Sequence, residues 1–181
     1  DLGSRGLGDV YKRQLHEAAP ELEVHYDGMG TRVSQVWLEN PDLLREPRKM
    51  RKAWNWCRRV RSKSDRKKAL DADVIVTTSG MLDGGPVIWY INRLRHDPAN
   101  AILLTGYQAE GSGGRMLLEH RRLPIWGKNT PVELEVTQFS LSNHAGHAEL
   151  ADFARKCSPK HVILFHADAE PAMALAEELG S

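Results

Sequence analysis

Two histidines follow apolar, strand-like runs. His144 follows the stretch from Phe139 through Ser142 and Asn143, and His166 directly follows Val162-Ile163-Leu164-Phe165. Residues 149–156 between them carry the spacing of one amphipathic helix. Strand, helix, strand is a βαβ unit, and its right-handed crossover makes the two strands parallel. Both imidazoles would then stand at carboxyl ends of parallel strands, on the rim where open α/β sheets take ligands. Two imidazoles on one rim suit a metal ion or a phosphate. A neutral ring nitrogen ligates metal, and a histidine that titrates near neutrality can pass a proton to a leaving group. A lone histidine at a strand end is more often a hydrogen-bonded structural residue, so the pairing carries the chemical reading. His147 is read as structural or as a support for that site, and His25 as a surface or strand-edge residue.

The elements that must position such a site come from the rest of the chain. Residues 23–26 read as a short strand followed by the turn Asp27-Gly28-Met29-Gly30, and Thr31 is placed to cap a helix through Val33, Val36 and Trp37. Asn40-Pro41 ends that helix. A basic helical region spans residues 47–60. Residues 72–77 are a β-branched run of the kind found in buried parallel strands. A loop with Ser79 and Gly80 leads to a helix opened by Pro86. Residues 101–105 form the next strand, and 106–115 a glycine-rich loop ending at Arg115. Residues 21–118 therefore alternate β and α, as a parallel sheet requires. Residues 132–137 alternate with period two, a half-buried strand, and a helix over 170–179 follows the His144–His166 unit. Loops between strands and helices expose backbone N–H groups that can bind anions.

At 181 residues and 41% hydrophobic, the chain holds enough apolar material for one or two domain cores. No apolar run reaches membrane-spanning length. Its two cysteines, Cys57 and Cys157, build neither a disulfide framework nor a metal motif, which fits a reducing, cytoplasmic setting. Net charge is only +1 but uneven, since residues 45–68 hold twelve Lys or Arg against Glu46 and Asp65. Trp54 and Trp56 lie within that run. Cations with interleaved aromatics suit a nucleic-acid backbone and its bases; the alternative is a solvated helical face with the tryptophans anchored in a core.

Four segments come in a characteristic order: Thr77-Thr78-Ser79-Gly80-Met81, Thr105-Gly106-Tyr107-Gln108-Ala109-Glu110-Gly111, Ser142-Asn143-His144-Ala145-Gly146 and Phe165-His166-Ala167-Asp168. In these the chain resembles the β-CASP subgroup of metallo-β-lactamase-fold RNA-processing nucleases, in particular the bacterial and archaeal members akin to the messenger-RNA 3′-end processing endonuclease and RNase J. The resemblance covers residues 24–179. It implies an α/β fold, in which a Rossmann-like parallel-sheet β-CASP portion (15–118) precedes the C-terminal βαβ portion of a metallo-β-lactamase αββα domain (119–181). It implies a zinc-dependent ribonuclease with two Zn2+ ions in the full-length parent. His166 falls on a zinc ligand and His144 on the residue that assists proton transfer at the scissile phosphate. Ser142 falls on a phosphate contact, while Ser79, Gly80 and Arg115 are candidates for phosphate or RNA binding. The family's H-x-H-x-D-H ligands do not occur in residues 1–181.

Residues 1–14 resemble a translated sequencing adapter. The chain is therefore expected to be the C-terminal piece of a longer protein, inactive alone, whose partners are RNA and its own missing N-terminal half. No membrane partner is expected, and a homodimer is compatible with the sequence. Two alternatives stay open: a non-catalytic RNA-binding paralogue of the same family, and a nucleotide-binding Rossmann-like module.

Overall fold

A computed structural model describes residues 14–139, 145–165 and 167–180. The chain divides into two units, Asp1–Ser142 and Asn143–Ser181.

In the first unit, β1 (Val24–Asp27) leads into α1 (Gly30–Glu39), then α2 (Pro47–Trp56), β2 (Arg58–Arg59), α3 (Lys63–Lys68), β3 (Val74–Thr77) and α4 (Pro86–Leu94). β4 (Ala101–Leu104), α5 (Gly113–His120), β5 (Arg122–Ile125), β6 (Lys128–Pro131) and β7 (Glu135–Gln138) follow. The three early strands form one parallel sheet in the order β2-β1-β3, with His25 opposite Arg58 and Ile75. β4 pairs in parallel with β7, Ala101 opposite Glu135. β5 and β6 make an antiparallel hairpin turned at Trp126 and Gly127, both at positive φ (48° and 77°). Two left-handed residues give the turn twist that matches a right-twisted hairpin.

The period-two reading of 132–137 holds in its burial. Val132 and Leu134 are buried, although the strand pairs only from Glu135. Both pack in the main core with Leu82, Ile91, Leu104 and Leu117. Leu117 and Leu123 lie on opposite sides of residue 118 and share this core.

Two local expectations are corrected. The helix that opens at Pro47 stops at Trp56 rather than running to 60. Cys57 turns extended, and Arg58 and Arg59 gain backbone partners on β1. Thr31 does not cap α1: its hydroxyl donates to the Gly28 carbonyl (2.8 Å), and Thr78 Oγ1, from the loop after β3, accepts from the Met29 N–H (3.1 Å). The parallel sheet expected over 21–118 is present as β2-β1-β3, while β4 pairs in parallel with β7, beyond 118.

The second unit contains α6 (His147–Cys157) and α7 (Ala169–Leu179). The helix expected between the two site histidines is present. Residues 162–165, expected as the crossover's second strand, form no strand. A strand is held by a ladder to a neighbour, and no such ladder reaches this stretch among the described residues; Ile163 is 89% exposed. α6 and α7 are joined through Glu178, which accepts from Arg155 Nη2 (2.8 Å) and lies 2.6 Å from His147 Nε2. The Arg155 hydrogen bond, then His147, hold the Glu178 carboxyl below the usual carboxylate range. His147, read from the sequence as structural or as a support for the site, pairs with Glu178 of α7.

Candidate functional site

Ser142, His144 and His166 lie outside the described residues. Ser79, Gly80 and Arg115 lie within them, and the structure brings their loops together. The loop after β3 and the glycine-rich loop after β4 are clasped by side chain and backbone. Gln108 Nε2 donates to the Gly80 carbonyl (2.9 Å) and to the Gly106 carbonyl (3.2 Å). The Gly113 N–H donates to Asp83 Oδ1 (2.8 Å), and the Gly114 N–H to the Met81 carbonyl (2.7 Å). The approach is close enough that a Cβ on Gly113 would overlap the Leu82 carbonyl, and one on Gly114 would overlap Gln108 Oε1.

Within this clasp Ser79 and Leu82 hold positive φ (79° and 58°). Non-glycine residues in that region cost about 1–3 kcal/mol each and persist where the surroundings over-determine them. The bonds from Gln108, Gly113 and Gly114 fix the backbone on both sides of Leu82. Open space lies where a Gly80 Cβ would project, so a ligand can approach that backbone.

Three backbone donors that follow the glycine-rich loop are already engaged. At the start of α5 the Gly113 and Gly114 N–H groups are taken by Asp83 and Met81, and the Arg115 N–H by Ser112 Oγ (3.2 Å). The first two donors hold the clasp and the third caps α5. The half-exposed Arg115 side chain donates from Nε to Glu119 Oε1 (2.5 Å), an interaction that uses one of the five guanidinium N–H donors. Tyr107, Ser112, Arg115, Glu119 and His120 line a shallow depression of about 410 Å3 beside it.

The basic run divides in two. The tryptophans are core anchors, packed against Val24, Tyr26 and Cys57. Trp54 is covered by the Arg59 guanidinium 4.8 Å from its ring centre, and Trp56 donates to the Pro20 carbonyl (3.0 Å) and meets the His16 ring edge-on. Arg66 is drawn inward to Asp27, at 2.6 and 3.0 Å, and Tyr90 donates to the same carboxylate (2.8 Å). Asp27 is 2% exposed. Its hydrogen bond raises the Arg66 pKa, while burial first, then Asp27, push the Tyr90 phenol up. Sequence reading missed this cluster. Asp27 looked like a turn residue and Arg66 like one more surface cation; an acid directly after a buried strand was the available signal.

His25 is corrected as well. It lies in the central strand, 5% exposed, with Nε2 2.9 Å from Glu23 Oε1, and Nδ1 buried without a partner among the described residues. β1 has strands on both sides, so His25 is not at a sheet edge.

Among the described residues no three His, Cys, Asp or Glu side chains gather to hold a metal ion. The described residues therefore do not by themselves assemble a zinc site. No helix among them is long and apolar enough to cross a membrane.

Parallel strands, clasped glycine loops and a helix-rich C-terminal unit define an α/β protein with loops at strand ends. Residues 7–117 match the Beta-Casp domain, and residues 129–180 match the Zn-dependent metallo-hydrolase RNA specificity domain. This chain belongs to the β-CASP family of metallo-β-lactamase-fold proteins. The first match takes in Ser79, Gly80 and Arg115, and the second Ser142, His144 and His166. The chain is 35% identical over 166 residues to Probable RNase MJ4 of Methanocaldococcus jannaschii, a match covering 89% of this chain and 39% of the relative. It is 31% identical over 156 residues to RNase aCSPSF2 of Saccharolobus solfataricus, 85% of this chain and 31% of the relative. It is 36% identical over 132 residues to transcription termination factor FttA of M. jannaschii, 66% of this chain and 21% of the relative. The chain thus spans well under half the length of these relatives.

Proposed function

We propose that this chain is the C-terminal part of a zinc-dependent ribonuclease that hydrolyses RNA phosphodiester bonds. One observation carries the reading: a Beta-Casp match is followed in the same chain by a match to a Zn-dependent metallo-hydrolase RNA specificity domain. The names of two relatives, both RNases, point the same way. In this reading residues 15–118 belong to the β-CASP portion and 119–181 to the hydrolase portion.

His166 is the proposed zinc ligand of this chain, and further ligands for two ions would come from the longer polypeptide. Zinc, when bound, polarises phosphoryl oxygens and lowers the pKa of water. His144 is the proposed general acid, giving its proton to the oxygen that leaves phosphorus. Ser142 is the proposed phosphate contact. The clasp supports a binding role for Ser79 and Gly80, since it holds a strained backbone beside open space. Arg115 joins them through its guanidinium, of which Glu119 takes only the Nε donor. A cytoplasmic setting belongs to the same proposal and is supported by two free cysteines.

The test uses the full-length parent. His166→Ala should lower zinc content and hydrolysis together. His144→Ala should lower turnover by about 10²–10⁴-fold with zinc retained. Normal zinc and normal hydrolysis after His166→Ala would remove the ligand assignment. RNA binding without hydrolysis by the zinc-loaded parent would instead make it a non-cutting paralogue.

A further inference from the structure

The cations of residues 45–68 are not equivalent. Lys49 pairs with Glu46 (2.8 Å), Arg58 with Glu23 (3.0 Å) and Arg66 with Asp27, while Arg51 donates to the Leu38 carbonyl (3.0 Å). Arg59 covers Trp54, and Lys68 acts on Asp65. Arg48 and Lys52 on α2, and Lys63 and Lys67 on α3, are exposed and have no ion pair among the described residues. Each pair is spaced i, i+4, so its members are neighbours on one helix surface. On α2 that surface is opposite buried Met50 and Ala53. Residues 47–64 contain no acid, and the two carboxylates that meet α2 among the described residues, Glu46 and Glu17, both pair with Lys49 (2.8 and 3.6 Å).

We propose that the outward faces of α2 and α3 bind the sugar–phosphate backbone of single-stranded RNA by charge alone, without base stacking. The cations stand ready for phosphates, because no carboxylate among the described residues holds them. The same fold turns the tryptophans inward: Trp54 and Trp56 are partly buried against Val24, Tyr26 and Cys57, with the Arg59 guanidinium over Trp54 and His16 edge-on to Trp56. An aromatic platform must present a free ring face to a base. Binding through these helices is therefore steeply salt-dependent and indifferent to base identity. The choice of RNA among polyanions rests on the ribonuclease reading; the surface itself rests on charge and exposure.

The experiment titrates labelled oligouridylate and oligoadenylate of equal length with the 181-residue chain in EDTA, across a salt series. EDTA keeps the binding readout separate from hydrolysis, which is measured on the zinc-loaded parent. Both oligomers should bind within about twofold of each other, with affinity falling linearly in log salt. The variant Arg48→Gln/Lys52→Gln/Lys63→Gln/Lys67→Gln should bind at least about tenfold more weakly and lose about 2–3 from the salt slope, at about 0.7 per charge removed. Glutamine is a good helix former, and thermal melts monitor folding. The α2 pair and α3 pair made separately should each give about half the slope change, which keeps the test sound if the fourfold variant misfolds. An unchanged slope in both pair variants overturns the surface. So does no binding at low salt, or a strong preference between the two oligomers. Lost binding with hydrolysis intact in the parent supports the surface, and lost hydrolysis with this salt slope intact counts against the ribonuclease reading alone.

Discussion

Asp27 carries the sharpest consequence of any single residue. It is a buried carboxylate at the end of β1, held by the Arg66 guanidinium and the Tyr90 hydroxyl. Removing one member of a buried charged pair leaves the other uncompensated, at a cost of about 3–5 kcal/mol; Arg66 is partly exposed, which places this case at or below the lower end. Asp27→Asn should lower the free energy of urea unfolding by about 2–3 kcal/mol; a change within about 0.5 kcal/mol would show that solvent screens the pair. Tyr90 carries a pH signature. Its folded pKa lies above the ordinary tyrosine value of about 10, so the folded state binds that proton more tightly than the unfolded chain does. The resulting stability is complete below that ordinary value and is lost as pH rises above it. Tyr90→Phe should remove this part of the alkaline loss, read as the difference between the two proteins' unfolding free energies from pH 9 upward. None of this was legible in the sequence, because Asp27 and Arg66 are 39 residues apart and neither type nor spacing announces the pairing.

At the scale of elements, the strand-to-helix loops follow from their glycines, but what those glycines do does not. Gly114 sits where a methyl group would overlap Gln108 Oε1, and Gly113 where one would overlap the Leu82 carbonyl. Their small size lets α5 dock on the loop after β3. Gly114→Ala should cost about 1–3 kcal/mol by overpacking and displace the Ser79–Gly80 backbone, read as amide chemical-shift changes in residues 79–83. Unperturbed shifts there would mean that Gln108 yields without moving its partners. Helix and strand periods were readable for α1, β3, α4, β4, α6 and α7, because each is set by neighbours along the chain. The end of α2 at Trp56 was not, since β1 supplies the competing backbone bonds.

Over the whole chain, an almost neutral balance conceals a strongly basic stretch, and the fold sorts that stretch into ion-paired cations and cations with no ion pair among the described residues. The second unit shows another use of charge. Glu178 is held below the ordinary carboxylate range by Arg155 first and His147 second. A depressed folded pKa contributes stability that is present above the unfolded value and lost as pH falls through the folded one. Amide protection in 147–178 should therefore drop as pH falls below about 4.3, and Glu178→Gln should remove that pH dependence while lowering protection at neutral pH. A flat profile in the unsubstituted chain would show that the α6–α7 pairing does not depend on this cluster.

The residue order by itself determined the alternation of strands and helices, the basic run and the family motifs, because these rest on short-range periodicity and on fixed spacing. Its proposed chemistry at Ser142, His144 and His166 also comes from those motifs, at positions outside the described residues. Only the tertiary structure decided that Trp54 and Trp56 are anchors, that Arg66 closes on Asp27, that β4 takes β7 as its partner, and that Gln108 ties one loop to another. Each of these is a contact between distant points of the chain. Its free energy depends on what the rest of the fold brings alongside, and no local pattern encodes that.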